Sequence, residues 1–216
     1  MPVLSLTVRL VLASQSPARL RVLRAAGIDP VVRVSGVDED AVAAALTDPA
    51  PADVVVALAE AKARAVLGDL DADVLADAVV VGCDSMLHYG GDLVGKPATP
   101  EVARERWAKM SGGTGELLTG HAILRVRDGE VVDTAGGTES TTVRFGNVTP
   151  EEVDAYIATE EPLAVAGAFT LDGLGGWFLD GVDGDPSSVI GISLPLTRRL
   201  LSGLGVRVTD LWRSTR

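Results

Sequence analysis

The feature that most constrains this chain is a junction. An apolar run from Leu6 to Ala13 passes without a spacer into Ser14-Gln15-Ser16-Pro17. Alternation that turns into uninterrupted apolar residues predicts a strand entering a core. The serines then supply helix-cap chemistry, and Pro17 fits the first helical position, where its missing N–H costs nothing. Leu20 and Leu23 continue a helix that Gly27 stops. A strand handing directly to a helix predicts an α/β domain.

The rest of the chain extends that reading. Val31 to Ser35 reads as a second strand and Asp38-Glu39-Asp40 as an acidic turn. Asp53 reads as the cap of a long Ala/Val/Leu-rich helix that ends near Leu67. Ala78 to Cys83 reads as a buried strand ending at Asp84, followed by a hairpin around Gly90-Gly91. Glu101 to Met110 is a helix. Leu117 to Val126 and Val131 to Phe145 are long strands joined at Asp128-Gly129. Pro150 to Thr159 and Leu194 to Leu204 are helices around a glycine-rich stretch, Gly167 to Gly191. No repeat or low-complexity linker divides the 216 residues, and the expectation is a single domain over 1–216 with a mixed sheet.

Charge narrows the partners. The chain has 19 Lys and Arg against 30 Asp and Glu, a net charge of −11. A duplex nucleic acid needs a basic footprint, so it is excluded as a partner. An anionic ligand must be held by a local group of cations, helped by a divalent ion. The apolar start has nothing basic before it, is interrupted by Arg9 and is too short to span a bilayer, so it reads as neither signal peptide nor anchor. One cysteine, Cys83, cannot form an internal disulfide. A soluble cytoplasmic protein without membrane association is expected.

Several residues carry chemistry. Ser14, Ser16 and Arg19 surround a helix start that suits phosphate, and the same serines also read as an ordinary cap. Gly90 to Lys96 matches the spacing of a phosphate loop. Pro97, however, removes the required hydroxyl and an amide donor, so that motif is rejected and Lys96 stays as a cation at the end of a hairpin, or a surface lysine. Asp84, at the carboxyl end of a buried strand, can deprotonate water or hold a divalent cation. Lys62, among alanines, either points its stem into a cleft or lies solvated on a helix face. Asp38 and Glu39 either chelate a cation or make a turn. Cys83 reads as a structural thiol. His88 and His121 are too few and too far apart for a zinc site. Trp177-Phe178 either stack on a base or pack in the core.

Taken together, these motifs resemble the Maf family. The resemblance rests on Ala13-Ser14-x-Ser16-Pro17-x-Arg19, Asp38-Glu39, Lys62, Gly82-x-Asp84-Ser85 and Gly95-Lys96-Pro97. It continues through Ser111-Gly112, Thr119-Gly120, Gly167-Ala168-Phe169, Gly173-Leu174-Gly175-Gly176 and Gly191, in the family's order over nearly the whole chain. It implies an elongated mixed sheet flanked by helices, with two lobes around a cleft as in inosine triphosphatases, and often a homodimer. It also implies a nucleoside triphosphate pyrophosphatase that uses Mg²⁺ or Mn²⁺ to release a nucleoside monophosphate and pyrophosphate. Asp84 would be the proton acceptor, Ser14, Ser16, Arg19, Lys62 and Lys96 the phosphate contacts, and Glu39 with Asp84 the metal ligands. Arg19, Ser85 and Asp172 match positions associated with base choice. Ala18, Gly115, Ser85 and Asp172 depart from common family residues, and an ionised Asp172 offers acceptors only, so the preferred base stays open. The cellular task would be cleansing of the nucleotide pool or control of cell division. The rival reading is a non-catalytic nucleotide-binding regulator of septum formation.

Overall fold

The computed structural model describes residues 8–212. Val3 to Thr7, the start of the apolar opening, lie outside the described residues. The chain begins with β1 (Arg9–Ala13), α1 (Pro17–Ala25), β2 (Val31–Arg33), α2 (Glu39–Ala44), α3 (Pro51–Ala65) and α4 (Ala72–Leu75). It continues with β3 (Asp77–Tyr89), β4 (Asp92–Val94), α5 (Pro100–Met110), β5 (Thr114–Arg127) and β6 (Glu130–Phe145). The last elements are α6 (Pro150–Ile157), β7 (Leu179–Asp183), α7 (Pro186–Ile190) and α8 (Leu194–Gly203). The seven strands form one mixed sheet in the order β2-β1-β3-β5-β6-β7, with β4 on β3. The expected α/β class, a mixed sheet with helices, is the observed one.

By its contacts the chain divides into two compact units. The first runs to Asp84, resumes over Gly120–Thr138 and takes the end of the chain from Leu194. Its β1 pairs in parallel with β2 and with β3, in a register that sets Ala13 opposite both Arg33 and Gly82. Parallel strands are covered on both faces and read as unbroken apolar runs. Leu10 to Ala13 and Ala78 to Val81 accordingly are all buried. Val11, Val80, Ala63, Val66 and Leu124 belong to one aliphatic core.

The second unit comprises Ser85–Thr119 and Glu139–Ser193. Its core is aromatic. Trp107 meets Phe145, Tyr156 and Phe178 edge-on at 5.8–6.0 Å between ring centres, the arrangement that ring quadrupoles favour. The fully buried indole N–H donates to the Ala168 carbonyl at 2.8 Å. Antiparallel pairs, β3 with β4 and β6 with β7, frame this core.

Several local expectations need correction. Asp38 does not sit in a turn but caps α2, accepting from the Ala41 N–H at 3.0 Å, and Glu39 and Asp40 fill the first turn, where the helix dipole favours them. Asp53 is not a cap. Pro51 occupies the first turn of α3, so the helix starts before Asp53, with Ala50 as its cap. The strand through Cys83 does not end at Asp84 but continues to Tyr89, because Leu87 is buried in the second unit's aromatic core. Trp177 is not core: it is 86% exposed, while Phe178 beside it packs against Trp107 and Tyr156.

Candidate active site

Gly82 and Asp84 lie two residues apart on β3, so their side chains share one face of the strand. A Cβ at Gly82 would stand 2.0 Å from the Ala59 carbonyl oxygen, so only glycine lets the backbone of α3 lie this close. Lys62 follows Ala59 by three residues, one turn further along the helix. It shares the buried side of the helix with Ala59 and Ala63, and its ammonium donates to Asp84 Oδ1 at 2.6 Å. The same ammonium meets Glu39 Oε1 at 2.8 Å. The solvated-lysine reading of Lys62 is therefore wrong, since it is 9% exposed. Close helix–strand packing seats the ammonium between two carboxylates.

The second part of the site comes from the β1–α1 junction. The register that sets Ala13 opposite Gly82 brings the carboxyl end of β1 beside the middle of β3, two residues before Asp84. The carboxyl ends of parallel strands are where α/β sheets hold ligands. Ser14 follows Ala13 and is buried. Its Oγ accepts from the Ser16 N–H at 3.1 Å and from Arg19 Nη1 at 3.2 Å. Ser16 caps α1, its Oγ accepting from the Arg19 N–H at 3.4 Å. Ser14 thus orients the guanidinium, and Ser16 fixes the helix that carries it.

The charges of this unit meet at Cys83. Burial pushes its thiol up to about 11; Arg19 and Lys62 pull it down and Asp84 pushes it up. A thiol held protonated in a strand interior is no nucleophile. The β1–β3 register, with Arg19 on Ser14 and Lys62 on Asp84, accounts for all three charges acting on this one thiol. Glu39 and Asp84 are the two carboxylates on the shared ammonium, and among the described residues no group of three or more His, Cys, Asp or Glu side chains gathers to hold a metal ion.

The remaining predicted residues belong to the second unit. Lys96 is exposed at the end of its hairpin. The Gly95 carbonyl before it accepts from Arg106 Nη1 at 2.5 Å and from the Gly167 N–H at 3.2 Å. Ser85 Oγ lies 3.0 Å from Thr119 Oγ1, which donates to the Ser188 carbonyl. Asp172 is exposed on the glycine-rich loop. Sequence reasoning missed the Glu39–Lys62 pair, because its partners are 23 residues apart and no local pattern links them.

An α/β sheet in which the carboxyl end of β1 lies beside a buried carboxylate on β3, with a lysine on that carboxylate and an arginine on the following serine, defines a protein with the groups an anionic ligand needs. The chain belongs to the Maf family: the model of the Maf-like proteins matches residues 9–204. Curated relatives agree over nearly their full length. A protein of Saccharopolyspora erythraea is 66% identical over 205 residues, covering 94% of this chain and 97% of its own. One of Nocardia farcinica is 66% identical over 209 residues, covering 96% and 98%. One of Rhodococcus erythropolis is 59% identical over 207 residues, covering 95% and 97%. Each of the three is named a nucleoside triphosphate pyrophosphatase.

Proposed function

We infer that this chain hydrolyses nucleoside triphosphates between the α and β phosphates, releasing a nucleoside monophosphate and pyrophosphate. The observation that carries the reading is the Lys62–Asp84 pair, 2.6 Å long, where β3 passes the carboxyl end of β1 and the Ser14–Arg19 contact that follows it. The relatives' shared name agrees with it. Asp84 takes a proton from a water molecule as the water oxygen attacks the α-phosphorus, and the bond from that phosphorus to the bridging oxygen breaks. Lys62 holds the Asp84 carboxylate in place and, with Arg19, places positive charge toward the phosphates. Ser14 and Ser16 add hydroxyl groups at the helix start. Lys96 is the second unit's candidate for a phosphate contact, and Arg19, Ser85 and Asp172 are candidates for base choice.

The donor set suits Mg²⁺ or Mn²⁺. Glu39 and Asp84 present hard oxygens, and these cations bind through one or two carboxylates, with waters and substrate phosphates completing the shell. A bound cation would neutralise charge on the departing pyrophosphate. The common and modified triphosphates, each incubated with the protein and Mg²⁺, test the proposal through a pyrophosphate-coupled assay. Pyrophosphate and nucleoside monophosphate in equal amounts are expected. Saturable binding without pyrophosphate would support the regulator instead, and orthophosphate with a nucleoside diphosphate would move the cleavage to the other bond.

A further inference from the structure

The helix that carries Lys62 touches the sheet at more than one place. Val55, Ala59 and Lys62 follow one another at steps of four and three residues along α3, so they share one face. Val55 and Ala59 are fully buried. Ala59 rests on Gly82 of β3, where a Cβ would meet its carbonyl oxygen. Val55 rests on Gly120 of β5, the neighbouring strand. A Cβ at Gly120 would stand 2.2 Å from the Val55 carbonyl carbon and oxygen and 2.6 Å from the Val56 nitrogen. Nearer the start of the helix, the Thr138 hydroxyl donates to the Ala52 carbonyl at 2.9 Å.

Two contacts fix what one cannot. A helix resting on a single point is free to tilt about it, whereas two points set height and tilt together. At about 1.5 Å of rise per residue, the Val55 and Ala59 contacts lie about 6 Å apart, and Lys62 lies about 4.5 Å beyond the second. Carbon atoms pack at about 3.5–4.0 Å, so a methyl group at position 120 forces α3 away from β5 by about 1 Å. With Ala59 still on Gly82, the helix turns about that point and Lys62 moves with it. The ammonium is held from two elements at once, at 2.6 Å by Asp84 on β3 and at 2.8 Å by Glu39 on α2. A displaced α3 therefore has two distances to restore with one side chain.

We propose that Gly120 is a positioning residue for Lys62: by letting the backbone of α3 lie on β5, it sets the tilt that brings the ammonium between Glu39 and Asp84. Gly120 acts through the helix. That the seated ammonium serves turnover rests on the triphosphate reading above; the seating itself does not. The sequence makes the seating observable. It holds three lysines, Lys62, Lys96 and Lys109. Lys96 and Lys109 are exposed, while Lys62 is buried and paired.

The experiment labels the lysine Nζ atoms with ¹⁵N and records their NMR signals in wild type, Gly120→Ala and Gly137→Ala. The signal lost in Lys62→Met is that of Lys62. Melting, and kcat for pyrophosphate release from ATP, GTP, CTP and UTP, are measured alongside, with kcat taken well below each melting temperature. In Gly120→Ala the Lys62 signal should move toward those of the two exposed lysines. Its kcat should fall about tenfold to a hundredfold, the scale of a misplacement of about 1 Å. A Cβ at Gly137 meets Leu196 only at 3.7 Å, an ordinary contact, so Gly137→Ala should change neither. If Gly120→Ala does not fold, Gly136→Ala decides. There a Cβ would stand 3.3 Å from Val56 Cγ1 and 3.2 Å from the His121 carbonyl oxygen. That gentler push on the same turn of α3 should move the signal the same way and lower kcat about threefold. An unmoved Lys62 signal in the folded variant overturns the proposal. So does a moved signal with unchanged kcat, or an equal effect of Gly137→Ala. A wild type that releases no pyrophosphate from any triphosphate overturns the triphosphate reading instead, and the Lys62 signal still decides whether Gly120 seats the ammonium.

Discussion

Asp84 and Glu161 are both carboxylates with several partners, yet they are used in opposite ways. Asp84 faces the ammonium of Lys62, a group at the end of a long side chain, in a unit whose core is aliphatic. Glu161 faces backbone N–H groups and two hydroxyls, in a unit whose core is a set of aromatic rings. A carboxylate paired with a side-chain cation can exchange that partner for a ligand or a proton. One paired with backbone amides cannot let go without moving the chain. The partners, more than the residue type, separate chemistry from shape.

The comparison breaks most readily at Asp84. Asp84→Asn should lower turnover by about 10²–10⁴, with circular dichroism and melting close to wild type. A variant that keeps near-normal pyrophosphate release would remove Asp84 from the mechanism. Next in size is Trp107→Ala, which empties a site at the centre of the aromatic set. A destabilisation of about 3–5 kcal/mol is expected in urea unfolding. A loss below about 1 kcal/mol would show that the second unit does not depend on that ring. A smaller effect belongs to α6, where Thr149 and Glu152 form a reciprocal capping box. Thr149→Ala should cost about 1 kcal/mol, measured the same way.

The smallest effect distinguishes the two carboxylates by pH. The folded-state value of Glu161 is depressed below the ordinary 4.5. Its contribution to stability is therefore fully present above that value and is lost as pH falls through the folded one. Wild type should melt above Glu161→Gln at neutral pH, and the gap should close on acidification below the ordinary carboxylate range. A gap that stays constant with pH would mean that Glu161 charge plays no part in holding its loop.

How much of this was legible depended on distance along the chain. The β1–α1 junction could be read from Leu6 to Pro17 because strand pattern, cap and proline are local signals. The turns at Gly90-Gly91 and Asp128-Gly129 were legible for the same reason: all four residues take positive φ. Asp84 was identified as a residue but misread as a strand end, since an aspartate normally interrupts an apolar run. Here the neighbouring helix brings a lysine to it, and the strand continues. The burial of Lys62 was not legible, because it depends on Gly82, twenty residues away, letting the helix approach. Trp177 and Phe178 were indistinguishable in sequence, and adjacent positions went to opposite environments. Glu161 gave no signal at all, for its partners lie 5, 9, 13 and 14 residues away in irregular backbone.

The sharing of Lys62 between Glu39 and Asp84 has a consequence for which anions can compete there. The ammonium already has two internal counter-ions within 2.8 Å, so chloride or a lone acetate offers it nothing it lacks. A newcomer must bring enough concentrated negative charge, or its own escort of metal, to make the exchange worthwhile. In a strongly acidic protein that arrangement sets a threshold of charge that a small monovalent anion does not reach.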